Sequence, residues 1–457
     1  MKKIKSILLL LITSLALMSV SCKNMKSKAK NVNTVNNLQQ YVGEYMYEAT
    51  GIIIHIYTKE KENGAKLYLF VSGDTESELI KTGEHKFAFK NEEGFKLEFN
   101  NLENNVFNEL ILIQPQGTVK AIRNGKVKID DLTTIDKKLI KRGFSGVILV
   151  AKNDSIIFNK AYGKKNSKAN GLNDINTVFS ICSITKQFTA AGILKLSMQD
   201  KLSVNDKLSK YFDAVPKDKK DITIHQLLTH SSGLRIGIGG DYDAITEKKF
   251  IKKVFRSKLI SPVGQEFHYS NVGYSLLTLI IEKVSGMDYE TFLNENIFKP
   301  SKMYYTGYTI PNWKNNQVAN GFLDGIEAKK PNEENWSNNG PYLNLKGNGG
   351  ILSNTNDLLL WSKAIRNNIV LDKETTSKYF YPHFEYNGGN ENYGYGWFIE
   401  NHNSESKLIH HSGGGDFFSG DFWIYPKKDI TIIVLSNTPE LYVTSIARKI
   451  SNYVFQE

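Results

Sequence analysis

Three short stretches of this 457-residue chain carry the side chains that acyl transfer uses. The first is Ser183-Ile184-Thr185-Lys186. A serine hydroxyl is a poor nucleophile until a neighbouring base takes its proton. A lysine amine is such a base only once burial or nearby positive charge has pulled its pKa down from about 10.4. Apolar residues at Ile184, Phe188, Ala191 and Leu194–Leu196 recur with helical spacing and predict a helix opening near Ser183, with Lys186 on the same face. The N-terminal field of that helix favours developing negative charge. Ser27-Lys28-Ala29-Lys30 and Ser404-Glu405-Ser406-Lys407 repeat the spacing, one in a polar N-terminal stretch and one in a loop before a strand. Only Ser183 opens an amphipathic helix.

The second stretch is Tyr269-Ser270-Asn271, set in a loop just before a helix. There a phenol can relay a proton to a leaving group and an amide can bind a substrate carbonyl. Tyr342-Leu343-Asn344 has the same form, so the pattern alone decides nothing. The third is His411-Ser412-Gly413-Gly414 at the end of a strand. Glycines beside a cleft let a substrate backbone approach, and a free N–H there can hold an oxyanion; the plainer reading is a strand histidine and a bulge. Lys81-Thr82-Gly83 lies in the upstream β-region and is a coincidence. The pair His410-His411 suggests zinc, but adjacent strand residues face opposite sides and no second cluster has ligand spacing. No metal and no cofactor are expected. Cys182, beside the serine, reads as a small buried hydrophobe, and with Cys22 the only other cysteine no internal disulfide is expected.

The elements that must position these residues follow from periodicity. Short alternating segments at Gly51–Tyr57, Lys66–Ser72, Lys86–Lys90, Phe95–Asn100 and Glu109–Gln114, with turns at Glu62-Asn63-Gly64 and Ser72-Gly73-Asp74, predict a small antiparallel β-domain over 35–128. The serine-bearing domain, 129–457, starts with a helix at Asp131–Arg142 and a hairpin of Ser145–Ala151 and Ser155–Ala161 turning at Asn153-Asp154. Its middle is helical, including Glu247–Lys258 and a helix from Asn271 capped by Gly286. Strands return at Tyr395–Glu400, Lys407–His411, Phe417–Tyr425 and Asp429–Leu435, and Glu440–Phe455 closes as a helix. The expected fold is α/β (α+β): one antiparallel sheet completed by both ends of the domain, flanked by helices, with a helical lobe.

Lys2, Lys3 and Lys5 precede an apolar run from Ile7 to Val20, then Ser21 and Cys22. A basic start, a short apolar core and a small residue before the cut describe an export signal, here 1–21, too short for a spanning helix. Cys22 at that cut resembles the lipobox of bacterial lipoproteins, with Ser19 where that motif usually has Leu. The resemblance implies lipid on Cys22, a tether over 22–34 and an exported protein of the cell envelope, on the outer membrane facing the periplasm. The formal charge of +11 comes from lysines interleaved with acids almost everywhere, and no nucleic-acid-binding signature is present, so nucleic acid is not an expected partner.

The order Ser-x-x-Lys, Tyr-x-Asn, His-x-Gly, on helix start, loop and strand, resembles the penicillin-recognising serine hydrolases. The closest branch is the class C β-lactamase-related group of esterases and D-amino-acid peptidases. The resemblance runs from Phe144 to Glu457 and extends to Phe144-Ser145-Gly146-Val147, Leu227-Leu228-Thr229-His230-Ser231-Ser232-Gly233-Leu234, Gly349-Gly350-Ile351-Leu352-Ser353, Tyr393-Gly394-Tyr395-Gly396-Trp397 and Val434-Leu435-Ser436-Asn437. It implies Ser183 as acylated nucleophile, Lys186 as its base, Tyr269 as proton shuttle and Asn271 as substrate ligand. It also implies catalytic participation of His411, substrate binding at Gly413 and Gly414, and an oxyanion hole of the Ser183 and Gly414 N–H groups. His411 stands where true β-lactamases carry Lys, so an ester or small peptide is the expected substrate. The alternatives are a slowly deacylating penicillin sensor and a true β-lactamase. Tyr41-Val42-Gly43-Glu44-Tyr45 resembles the opening of the small β-domain appended to many of these hydrolases, where it usually follows the catalytic part.

Overall fold

The computed structural model of the chain describes residues 38–455, apart from 48–51, 62–63, 72–76, 91, 116, 125–129, 154, 169–170, 314–316, 335–339, 386–390, 402–403 and 440–442. The expected signal, the tether and Cys22 lie outside the described residues, as do Asp154 and most of the two turns named in the β-domain. The chain divides into two compact units, Met1–Ile129 and Asp130–Glu457.

The first unit is a closed barrel of eight strands: β1 (Gly43–Tyr47), β2 (Ile52–Lys59), β3 (Lys66–Val71), β4 (Ser77–Gly83), β5 (Lys86–Phe89), β6 (Lys96–Glu103), β7 (Val106–Gln114) and β8 (Gly117–Arg123). Each strand is antiparallel to the next, and β1 closes on β8 through Tyr45 opposite Arg123 and Met46 opposite Ile122. An eight-stranded barrel is just wide enough for side chains to fill. Alternate residues do so here: Tyr41, Tyr45, Phe87, Phe99 and Phe107 share one core, with Tyr41 stacked on Phe107 at 5.1 Å. Arg123 ties the closing seam, donating to the Val42 carbonyl (3.0 Å), the Phe107 carbonyl (2.6 Å) and the Tyr45 hydroxyl (2.8 Å).

The second unit is built on one eight-stranded sheet. Helix α1 (Leu132–Arg142) is capped by Asp131, which accepts from the Thr134 N–H, and stopped by Gly143 at φ +70°. Then come β9 (Gly146–Lys152) and β10 (Ser155–Tyr162), and, late in the chain, β11 (Phe384–Glu385), β12 (Glu391–Tyr393), β13 (Phe398–Glu400), β14 (Leu408–Gly414), β15 (Ser419–Tyr425) and β16 (Ile430–Ser436). The order is β10-β9-β16-β15-β14-β13-β12-β11, antiparallel throughout, so the two ends of the domain meet at β9 and β16 as expected.

The central strands are buried on both faces, which is why β16 reads as a run of β-branched residues rather than an alternation. Val147, Leu149, Phe422, Ile433 and Leu435 face the helical lobe. Ile148, Val150, Trp423, Ile432 and Val434 face α1 and the closing helix α9 (Val443–Val454). Between β10 and β11 lie α2 (Lys186–Met198), α3 (Ile224–Leu228), α4 (Glu247–Arg256), α5 (Asn271–Ser285), α6 (Tyr289–Leu293), α7 (Thr355–Arg366) and α8 (Lys373–Tyr379). Helix α5 begins at an N-cap, Ser270, whose hydroxyl accepts from the Gly273 N–H, and stops at Gly286 with φ +70°. That cap fixes where the preceding residue, Tyr269, leaves the backbone.

Candidate active site

Ser183 does not stand on an α-helix. It lies in a 3-10 turn, Cys182–Thr185, and the α-helix starts only at Lys186. The turn is entered through Cys182 at φ +48°, a left-handed conformation uncommon for a side-chain-bearing residue. In a 3-10 turn residues i and i+3 eclipse one another. The Lys186 amine accordingly reaches the Ser183 hydroxyl at 3.1 Å and also donates to the Asn348 carbonyl at 2.7 Å. Lys186 is wholly buried and makes no ion pair among the described residues. The Tyr269 and Tyr274 rings stand 4.7 and 5.6 Å from its nitrogen. Burial therefore holds its pKa well below the ordinary lysine range, the condition for an amine to accept a proton.

The Tyr269 phenol completes the cluster, its ring packed beside the Lys186 amine that meets Ser183. Burial raises the pKa of that phenol, so it carries its proton. Its ring is held against His230, centroids 4.2 Å apart. Cys182 is no competing nucleophile, because burial pushes its thiol up to about 12.

Strand β14 runs past the turn. A Cβ on Gly413 would collide with the Ile181 carbonyl oxygen and come within 3.2 Å of the Ser183 nitrogen, so only glycine lets strand and turn approach this closely. Gly396 does the same behind the base, where a Cβ would sit 2.8 Å from the Lys186 carbonyl oxygen. Ser183, Asn271 and Gly414 line one cavity of about 60 Å³, together with Cys182, the Asn348–Gly350 segment and, on the outer side, Asp241, Tyr242 and Asp416. The Oδ1 atom of Asn271 is buried there without a hydrogen-bond partner among the described residues.

His411 is placed differently. It is 1% exposed, does not line the cavity, and sits at the end of a buried chain of hydrogen bonds. The Ser270 N–H donates to His230 Nδ1 (3.0 Å), which places the His230 proton on Nε2, 3.2 Å from the Tyr393 hydroxyl. That hydroxyl donates to His411 Nε2 (3.1 Å), and His411 Nδ1–H donates to the Ser412 carbonyl (2.6 Å). Every proton in the chain is assigned with both rings neutral. Burial first, and the Lys186 amine second, push His411 down to about 3 and His230 well below its usual value. The structure thus brings Ser183, Lys186, Tyr269, Asn271, Gly413 and Gly414 together and keeps His411 behind them.

Sequence reasoning missed two participants. Asn348 offers only its carbonyl, which no side-chain pattern reveals, although the nearby Gly349-Gly350 was a visible signal. The Tyr393 hydroxyl joins two histidines far apart in the chain. The Tyr342-Leu343-Asn344 stretch proves structural: the Asn344 side-chain amide donates to the Gly240 carbonyl at 3.0 Å, and the Asn344 main-chain carbonyl accepts from the Asn348 side-chain amide at 2.9 Å.

A buried amine beside a serine hydroxyl, a protonated phenol and a glycine strand are set together on this sheet. The chain belongs to the Beta-lactamase family, whose profile matches residues 132–452. It is similar to Protein flp of Staphylococcus aureus (strain MW2), with 30% identity over 341 residues that cover 70% of this chain and 65% of that protein. The chain thus spans a little under two thirds of that relative. Among solved structures it is similar to the octameric penicillin-binding protein homologue from Pyrococcus abyssi, with TM-score 0.62 and 27% identity over 72% of this chain and 78% of that one. It is also similar to the penicillin binding protein from Bacillus halodurans, with TM-score 0.60 and 26% identity over 69% of this chain and 99% of that one. The expected mixed α/β fold is the fold found.

Proposed function

We propose that this protein is a serine hydrolase of the class C β-lactamase-related branch, cleaving esters or small amides through an acyl-enzyme on Ser183. The observation that carries the reading is the buried, ion-pair-free Lys186 amine 3.1 Å from the Ser183 hydroxyl. Lys186 takes the serine proton as Ser183 Oγ bonds to the substrate carbonyl carbon. The carbonyl oxygen becomes an oxyanion facing the Ser183 and Gly414 N–H groups. As the tetrahedral centre collapses, the bond to the leaving group breaks, and the Tyr269 hydroxyl passes it a proton that Lys186 replaces. Water, losing its proton along the same path in reverse, then releases the acid and frees the serine. With His411 neutral in its hydrogen-bonded chain, the described residues lining the cavity offer no fixed cation for a β-lactam carboxylate, which favours an ester or small peptide. Mass spectrometry after a short exposure to an activated ester tests the reading. The expected result is one acyl group on the peptide containing Ser183, lost on further incubation. Labelling elsewhere in the chain, or none, overturns it, and an adduct that persists for hours marks the slow-deacylating sensor instead.

The proposal extends to location: an exported protein held on the outer membrane, periplasmic side, by lipid on Cys22. Each buried methylene contributes about 0.8 kcal/mol, so a multiply acylated cysteine stays in the membrane. Cys22→Ser is expected to move the protein from the membrane to the soluble fraction, and a wild-type protein already soluble would sink the idea.

A further inference from the structure

Helix α4 carries Lys248, Lys249, Lys252, Lys253 and Arg256, all of them exposed. At about 100° per residue the five fall within an arc of about 140°, and they run over about 12 Å of helix axis. The opposite face is used for packing: Phe250 and Val254 are buried in the core, and Ile251 and Phe255 lie against it. None of the five cations is in an ion pair among the described residues, and the one acid of the helix, Glu247, turns to Lys283 of α5 at 3.4 Å. Elsewhere a lysine meets an acid four residues earlier, as Lys210 meets Asp206, Lys299 meets Glu295 and Lys378 meets Glu374. Here Lys248, Lys252 and Arg256 repeat like charge at that spacing, as do Lys249 and Lys253, which works against the helix unless an anion lies over it.

A cavity of about 390 Å³ opens against this face, lined by Lys249, Lys252, Lys253 and Arg256 together with Asp243 and Asn344. Asp243 accepts from the Gly240 N–H at 2.8 Å, and the Oδ1 atom of Asn344 is buried without a hydrogen-bond partner among the described residues. We propose that this cavity and the outer face of α4 hold an anionic polysaccharide, its acidic groups set along the cations and its hydroxyls donating to Asn344 and Asp243. One small anion meets one or two side chains, whereas five cations spread over about 12 Å match a chain of charges. The two acceptors suit a polymer that also carries hydroxyls. No aromatic ring among the described residues lines the cavity, so nucleic-acid bases have no platform to stack on. The apolar side chains of α4 face inward, so the helix has none to lay into a lipid surface. One loop walls this cavity and the serine's: Asp241 and Tyr242 line the acylation cavity, and Asp243, Ala244 and Ile245 line this one. A polymer bound here lies one loop away from the chemistry, and the proposal stands independently of the role given to Ser183.

The test measures binding of dextran sulfate, uncharged dextran, and vesicles of phosphatidylglycerol and phosphatidylcholine in equal parts. It uses the full chain carrying Cys22→Ser, so that no lipid anchor contributes. Dextran sulfate is expected to bind and dextran is not, with an affinity that falls steeply as salt rises. Replacing Lys249, Lys252, Lys253 and Arg256 together by Gln is expected to weaken dextran sulfate binding by about tenfold or more. A control chain with Lys137, Lys217, Lys329 and Lys373 replaced by Gln loses the same net charge from exposed positions elsewhere, and is expected to bind within about twofold of the parent. Circular dichroism of each chain confirms that all are folded. Equal losses in the two variants would assign the binding to net charge and overturn the site. No binding of dextran sulfate, or vesicle binding that is the tighter and depends on the α4 cations, would overturn the polysaccharide as its occupant.

Discussion

Replacing Ser183 with alanine is expected to lower kcat/KM for a p-nitrophenyl ester by about three orders of magnitude or more. The size follows from what the hydroxyl does: with no oxygen to acylate, only water positioned in the cavity remains. The variant should fold, because the lysine keeps its 2.7 Å hydrogen bond to the Asn348 carbonyl and the turn is held by backbone and by Gly413 rather than by the serine side chain. Steady-state kinetics beside a circular dichroism spectrum separate the two questions. A folded Ser183→Ala protein that keeps wild-type turnover would show that the chemistry happens elsewhere.

Lys186→Arg is expected to be nearly as damaging, a loss of about a thousandfold, although it keeps a basic side chain of similar length. A guanidinium with pKa above about 12 stays protonated and cannot receive the serine proton. The wild-type pH profile carries the same logic. Because burial lowers the Lys186 pKa, the amine gives up its proton below the ordinary lysine range, and kcat/KM falls as acid protonates it through that depressed value. Activity that instead waits for the ordinary lysine range, about 10.4, would contradict the assignment. The depression has a cost in stability of definite sign. Between the folded and unfolded pKa values the unfolded chain holds a proton on this lysine and the folded chain does not, so the contribution of this group to stability rises with pH across that window. His411, held to about 3, adds no limb near neutrality.

How much of this was legible in the sequence follows from the range over which each feature is encoded. The serine and lysine sit three residues apart, and spacing alone put them on one face. What spacing did not reveal is that the face belongs to a 3-10 turn, because that turn depends on Cys182 adopting φ +48° under strand β14. The helix from Asn271 to Gly286 was legible because both of its caps are local. Barrel closure was not, since it depends on Tyr45 meeting Arg123 across the whole unit, and β4 and β8 dilute their alternation with outward lysines and threonines. Asp241 and Asp416 resemble any other loop acids until the fold turns both toward the serine's cavity.

The closed circuit of β1 to β8 has a consequence for how the N-terminal unit can meet other molecules. An open sheet offers a rim of unsatisfied amides and carbonyls to which a foreign peptide, or another copy, can add itself strand by strand. A ring whose first and last members already bond to each other has no such rim to lend. Whatever this unit holds must be gripped by the side chains of its outer wall or by the loops at its two mouths, and mutational mapping of its ligands belongs there rather than along a backbone ladder.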